Sequence, residues 1–441
     1  MTKLMEKELF KKFMHYVVPS VVAMWVFTIY TMVDGMFVAR GVGPSALAAV
    51  NIAMPFINFT FALGILFAVG ASTVASIHKG KGEMQKANEV FTLSTITVFV
   101  VALILTVVAL LNLDFLAEML GATDATREYV KDYLGVIILF DVFYMTAYNL
   151  EVLTKADGFP HIAIMTTSAG AVCNIVLDYF FVIVFQWGIA GAAWATGISQ
   201  LLTFTIFLLR FLSKGSNFNF VKVKFQFARV AKLARIGSAD SVTEFSVGAV
   251  IFMFNNTIIR VIGDDGVVIY TVIAYVSQLI LMTMMGLNQG MQPLVSYYHG
   301  KEEKIIHKYI LKMALMCAVI CSLVAFLIGI IYPNPVVAAF IDSGKNPELF
   351  ESAISAFKLF SFSFLPLGVV VILAGYCTAL EKAKYAFTIS ICRGLIFVSI
   401  SLVLMSILFG ATGIWLSMAV SEGIALILAV YIYKNILVLK E

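Results

Sequence analysis

Hydrophobic residues fall along this chain in long runs separated by short polar breaks, too long for strands or for the helices of a soluble domain. A helix rising 1.5 Å per residue needs about 20 apolar residues to cross a hydrocarbon core about 30 Å thick. Twelve runs reach that length, near 16–39, 46–77, 89–112, 133–154, 161–186, 189–212, 236–262, 267–298, 309–332, 352–379, 385–409 and 411–433. Several exceed the minimum, which implies tilt or extension beyond the bilayer. The pattern predicts an all-α integral membrane protein of twelve transmembrane helices.

Composition agrees. Of the 441 residues, 61% are hydrophobic and only 13% charged, with a mean hydropathy of +0.97. A soluble chain is nearer a quarter charged, because its surface must be hydrated, so a soluble class is excluded. The opening, residues 1–12, is mixed in charge and lacks an apolar core and a small-residue cleavage site, so no cleaved signal is expected. Five cysteines (Cys173, Cys317, Cys321, Cys377 and Cys392) all lie in apolar stretches and read as small hydrophobes rather than as disulfide or metal partners.

Charge orients the spans. With the N-terminus placed in the cytoplasm, 23 of the 30 Lys and Arg fall at cytoplasmic ends and 6 at outer ends, and Arg393 lies within a span. That asymmetry follows the positive-inside rule and predicts a multi-pass protein of a bacterial cytoplasmic (inner) membrane, with N- and C-termini both cytoplasmic. The longest basic connection, 214–235, divides the chain into an N-terminal lobe, 1–213, and a C-terminal lobe, 236–441, of six spans each. Both lobes start from the same side, so a repeat between them is parallel. Shifted by 220 residues, Arg40, Gly43, Gly70 and Gly80 fall on Arg260, Gly263, Gly290 and Gly300. Shifted by 222, Gly188, Gly191 and Ser199 fall on Gly410, Gly413 and Ser421. Two pseudo-symmetric lobes are expected.

A carboxylate in hydrocarbon costs about 2.5 kcal/mol or more, so each intramembrane acid needs a partner, a water-filled cavity or a function. Asp240 and Glu151 lie within two turns of a cytoplasmic end and are expected to reach water. Arg393 and Glu422, on the last two spans, are expected to pair. Asp34 and Asp178 are harder to place, lying about 8 and 12 Å below the outer ends of spans 1 and 5. Asn174 is one turn from Asp178 on the same face, and Thr196 sits at a similar depth on span 6. Carboxylate, amide and hydroxyl oxygens together suit a hard cation such as Na⁺. Two poorly hydrated carboxylates close together could take up a proton instead. A structural polar network joining spans 1, 5 and 6 is the plainer alternative. The equivalent positions in the second half are Phe254, Ile396, Ile400 and Met418, all apolar. General helix glue would be needed in both lobes, so the asymmetry favours a cation site confined to the first.

The stretches carrying these residues are Val33-Asp34-Gly35-Met36-Phe37-Val38, Asn174-Ile175-Val176-Leu177-Asp178, and Gly188 through Thr196 (GIAGAAWAT). With Gly286 through Leu294 (GLNQGMQPL), similar to the eighth-helix motif of MepA-like bacterial members, the chain resembles the multidrug and toxic compound extrusion (MATE) family over essentially its whole length. The resemblance implies a V-shaped antiporter exporting lipophilic organic cations in exchange for Na⁺ or H⁺, with Asp34, Asn174, Asp178 and Thr196 lining the coupling-cation site. Some members use a seventh-helix acid; Glu244 lies on that helix, closer to Gly237 than in those members. Asn58, Gln278, Met282, Asn288 and Gln292 are expected to line a substrate cavity, where adaptable Met and aromatic faces suit flat cations. Asp141 either lines the outer vestibule or hydrogen-bonds a neighbouring helix. Gly35, Gly41 and Gly43 are expected to let the end of span 1 flex as the lobes rock.

Other classes fit less well. A flippase for a lipid-linked oligosaccharide would need a basic cavity, whereas the intramembrane charges are mainly acidic. No HExxH, nucleophile elbow or phosphate loop supports an enzyme, and the loops are too short for a nucleotide-binding domain. The expected partners are small organic cations and the bilayer, with no nucleic acid, no ATP and no cofactor beyond the coupling Na⁺ or H⁺, for a chain acting as a monomer.

Overall fold

The computed structural model describes residues 3–124, 126–344 and 346–438. Lys345 and Lys440, counted in the charge sorting, lie outside the described residues. Those residues are helical nearly throughout, with no strand among them. In hydrocarbon the helix satisfies every backbone N–H and C=O within its own segment, which is why the apolar runs take this form.

The first lobe contains α1 (Lys3–Gly41), α2 (Pro44–Gly80), α3 (Met84–Leu111), α4 (Arg127–Asp157), α5 (Pro160–Asp178) and α6 (Gly188–Leu212). The second contains α7 (Phe227–Val261), α8 (Asp264–Gly300), α9 (Lys304–Ile331) and α10, which is built from Pro347–Ser361 and Phe364–Ala379. After Ala383 the chain is one apolar helical run, Ala383–Asn435, interrupted only at Gly410, whose φ of 57° and ψ of −133° no helix contains. It reverses there. Arg393 and Glu422 are 29 residues apart, which a straight helix would separate by about 43 Å, yet they meet at 2.8 Å. The run is therefore two spans, α11 (383–409) and α12 (411–432), which makes twelve among the described residues.

The two lobes meet through α1 against α8 and α2 against α7. At these crossings glycines admit the partner's backbone, as small residues do at close helix contacts in membranes. A Cβ on Gly70 would run into the Leu233 carbonyl, one on Gly237 into that of Leu66, and one on Gly300 into that of Ile77. Gly286 and Gly290 likewise press on Val21 and Val17 of α1. All these contacts lie in the halves of the helices nearest the N-terminus. In the opposite halves, Gly35, Gly43, Gly248 and Gly263 have nothing within 4 Å of a built Cβ. The lobes are thus closed at the end carrying the N-terminus and splayed at the other.

The inter-lobe connection is shorter than 214–235, because α7 already begins at Phe227. Its first part is fastened to the first lobe. Buried Asp157 accepts from the backbone N–H of Asn217 and Phe218, both at 3.0 Å, and from Ser216 Oγ at 3.1 Å. The five cysteines are free thiols; Cys377 is buried, and the other four are only half-buried.

Candidate functional site

Asp34 lies seven residues before the end of α1, buried at 7% exposure. Asn174 and Asp178 are one turn apart on α5, and both are fully buried. Asp178 is the last residue of the regular helix, which continues as a π turn over Tyr179–Val184. Such wide turns are uncommon and often mark functional positions. Thr196, half-buried on α6, accepts a hydrogen bond from Asn174 Nδ2 at 3.3 Å. The carboxyls of Asp34 and Asp178 face one another. The fold therefore brings together the four residues expected to form one site.

Their oxygens are unusually free. Asp34 Oδ1, Asn174 Oδ1 and both carboxyl oxygens of Asp178 are buried without a hydrogen-bond partner. Buried polar atoms in folded proteins are nearly always paired. Four orphaned acceptors in one cluster, beside a cavity with no Lys or Arg among the described residues of its wall, form a donor set that a small hard cation or a shared proton would satisfy.

Asp34 and Thr196 also form part of the wall of a cavity of about 220 Å³. Asn58 and Asp141 line its first-lobe side, and Glu244, Gln278 and Met282 its second-lobe side. Asp141 lines the cavity, and its Oδ2 is buried without a hydrogen-bond partner. Half of the remaining wall is aromatic, formed by Phe27, Tyr30, Phe61, Tyr133, Phe140 and Tyr144. A smaller extension of about 60 Å³ shares Phe27, Tyr30, Tyr144 and Glu244 with it and leads toward the closed end, to Glu151 and Gln289. Three carboxylates, and no Lys or Arg, line the larger cavity.

Two expected cavity residues lie elsewhere. Asn288 and Gln292 donate to Asp240 Oδ1 at 3.1 and 3.2 Å, and Thr378 Oγ1 donates to Oδ2 at 3.4 Å. On α8 the cavity face is Gln278, Met282, Met285 and Gln289, spaced four, three and four apart. Asn288 and Gln292 point to a different side, within the second lobe. Asp240 accordingly does not reach water; it is 7% exposed and held by these donors. Glu151 is not at the cytoplasmic surface either; it is buried and lines the cavity extension. It accepts from buried Lys155 at 2.8 Å, and Lys155 also donates to Gln289 Oε1 across the lobes at 2.8 Å. The expected Arg393–Glu422 pair forms, with Nε 2.8 Å from Oε1.

Sequence reasoning missed Gln289, Gln200 and the tyrosines. Gln200 Nε2 donates to Tyr30 OH at 3.4 Å. The signal available for Gln289 was its register with Gln278 and Met282; the tyrosines had none, being members of a set of 17.

The model of the MatE family matches residues 19–180 and again 241–403. Multidrug export protein MepA of Staphylococcus haemolyticus (strain JCSC1435) is 25% identical over 433 residues, covering 98% of this chain and 94% of that protein. A solved structure of MATE in complex with MaL6 superposes with a TM-score of 0.92 at 20% identity, covering 98% of this chain and 97% of the other. An outward-facing multidrug resistance MATE family transporter of the MOP superfamily gives 0.91 at 21% identity, covering 98% and 96%.

Proposed function

This chain belongs to the MatE family, and from that premise we propose that it exports lipophilic organic cations by antiport against Na⁺ or H⁺. The observation that carries this reading is the cluster of four buried, unpartnered oxygens on Asp34, Asn174 and Asp178, beside an acidic, aromatic cavity. MepA relatives that are multidrug export proteins along nearly their whole length support the export half of it.

The closed end is taken as cytoplasmic from the positive-inside asymmetry, with both termini there, in a bacterial cytoplasmic membrane. In this state the cavity is reached from outside through the splayed ends of α1 and α7. A cation entering from that side binds at Asp34, Asn174, Asp178 and Thr196. It neutralises carboxylate charge that otherwise attracts an organic cation held by the aromatic walls. Substrate affinity falls and the substrate leaves outward. The two lobes then rock about the glycine crossings, and the cation is released inside. Each ligand shifts the equilibrium only by its differential affinity for the two states, so competition for one acidic cavity suffices for exchange. A monomer contains every part of this cycle, and no step uses ATP.

A flippase for a lipid pyrophosphate is the rival within the wider superfamily. It would place cationic side chains in the cavity, and three carboxylates line it instead. The deciding experiment is substrate flux in proteoliposomes with a Na⁺ gradient and a pH gradient imposed separately. Dependence on one identifies the coupling ion; full flux with neither refutes the antiport.

A further inference from the structure

The second lobe has a cavity of its own, of about 110 Å³. Its wall repeats that of the first. Phe27, Asn58, Tyr144 and Gln200 line the first-lobe cavity; Val247, Gln278, Leu367 and Glu422, 220 to 223 residues later, line the second. The two lobes thus present the same helix faces to equivalent spaces with different chemistry.

In the first lobe the acids face each other and no cationic side chain approaches. In the second, Asp34 and Asp178 are replaced by Phe254 and Ile400, and the acid lining the cavity is Glu422. Glu422 is 1% exposed, and Arg393 Nε donates to its Oε1 at 2.8 Å. Arg393 stands 222 residues after Ala171, so the first lobe has a methyl where the second has a guanidinium. A π turn, Cys392–Ile396, carries it. The neighbouring acid, Asp240, already has amide and hydroxyl donors, and only a narrow void separates it from Arg393. Glu422 Oε2 remains buried and unpartnered.

We infer that Arg393 is a built-in cation that plays for Glu422, the acid of the second-lobe cavity, the part a free cation plays for the first-lobe carboxyls, so that the second lobe is permanently loaded and exchange is confined to the first. A guanidinium does not release its proton in proteins. Arg393 therefore keeps its positive charge beside Glu422 through the transport cycle, whereas the first-lobe carboxyls must gain and lose their counter-ion. The inference deepens the antiport reading and rests on it for its meaning, but Glu422 can be tested without it.

Removing the arginine should turn the second lobe into a cation site. The test uses full-length protein in nanodiscs, with Asp34→Asn and Asp178→Asn present so that the first-lobe site is silent. Adding Arg393→Met should make the unfolding midpoint rise by about 2 °C or more with Na⁺ at fixed pH, or with falling pH in its absence. Glu422→Gln added on top should abolish the response. The titratable groups around Glu422 are Arg393, Tyr270 of α8 and Asp240 of α7, so Asp240→Asn is the control for a response arising next door. No gained response, or one that survives Glu422→Gln, overturns the inference. Should Arg393→Met not accumulate, Arg393→Met/Glu422→Gln in otherwise native protein decides. Retained efflux with an unchanged cation-to-substrate ratio supports the inference, and lost coupling overturns it. Failure of the antiport reading itself would appear separately, as gradient-independent efflux by the native chain.

Discussion

Lys155 of α4 holds its Nζ 2.8 Å from Oε1 of Gln289 on α8, so an ammonium buried in one lobe is bound by an amide of the other. The same nitrogen donates to Glu151 at 2.8 Å, and Gln289 Nε2 donates to Tyr148 OH at 3.3 Å. This network closes the cavity's extension on the side where the lobes touch. It must come apart when that end opens.

Breaking it from either side gives different outcomes. Lys155→Met leaves Glu151 buried without its charge partner, and uncompensated buried charges of this kind cost about 3–5 kcal/mol. The purified variant should unfold well below the native midpoint. Gln289→Leu keeps the ion pair and loses only the bridge between lobes. Its unfolding midpoint should move little, while closed-end positions such as Ile77 and Tyr297, converted to cysteine, should become more reactive to a water-soluble maleimide. Unchanged labelling would show that the network does not hold that end shut.

Asp34→Asn and Asp178→Asn preserve shape and hydrogen-bonding size while removing the charge that a cation requires. Each should lower gradient-driven efflux by about tenfold or more, the scale seen when groups around a bound ion are altered. Thr196→Val should cost less, because the hydroxyl contributes an oxygen but no charge. Asp141→Asn, which changes the cavity wall and not the four-residue cluster, should alter substrate affinity more than ion dependence. Efflux assays across imposed ion gradients separate the two effects, and a fully coupled Asp34→Asn protein would remove the coupling role from this cluster.

Where the chain announces its structure, it does so through quantities the bilayer itself measures. Span lengths, the break at Gly410 and the pairing of Arg393 with Glu422 were legible because hydrocarbon thickness and the cost of a lone charge admit few alternatives. The facing of residues around α8 was not. Both sides of that helix are buried, so Asn288, Gln289 and Gln292 carry no amphipathic contrast to separate a cavity face from a face turned to Asp240. Distance to a span end alone puts Asp240 and Glu151 within reach of water. That distance says nothing of partners, and those of Glu151 extend through Lys155 to the other lobe.

Asp157 makes a prediction about the connection between lobes. Its carboxylate binds the backbone N–H groups of Asn217 and Phe218, and each buried donor left unpaired costs about 1–3 kcal/mol. Asp157→Ala should therefore release segment 213–226 from the first lobe before it disturbs the spans. Limited proteolysis should cut there faster than in native protein, at a concentration that leaves the helical core intact. Equal cutting rates would mean that the other contacts hold the segment, namely Phe218 and Phe220 on Phe91 and the backbone N–H groups of Asn219 and Val221 on Asn88 and Thr92.

Three glycines, Gly70 at a lobe crossing and Gly197 and Gly248 away from it, allow a graded test, because the structure shows what each added methyl would meet. At Gly70 it meets the backbone carbonyl of Leu233, which cannot turn aside without moving α7. At Gly197 it meets the ring of Phe140, which can rotate into the adjoining cavity. At Gly248 it meets nothing, and alanine is the better helix former by up to about 1 kcal/mol. Overpacking typically costs about 1–3 kcal/mol, so Gly70→Ala should lower the unfolding midpoint most. Gly197→Ala should lower it less, and Gly248→Ala should leave it unchanged or raised. Gly70→Ala should also slow efflux, since the lobes can no longer close to the same distance at that crossing, while Gly248→Ala should not. Thermal unfolding of the three variants in one detergent checks the order. If Gly70→Ala and Gly248→Ala behaved alike, the close approach of α2 and α7 would not be what holds the lobes together.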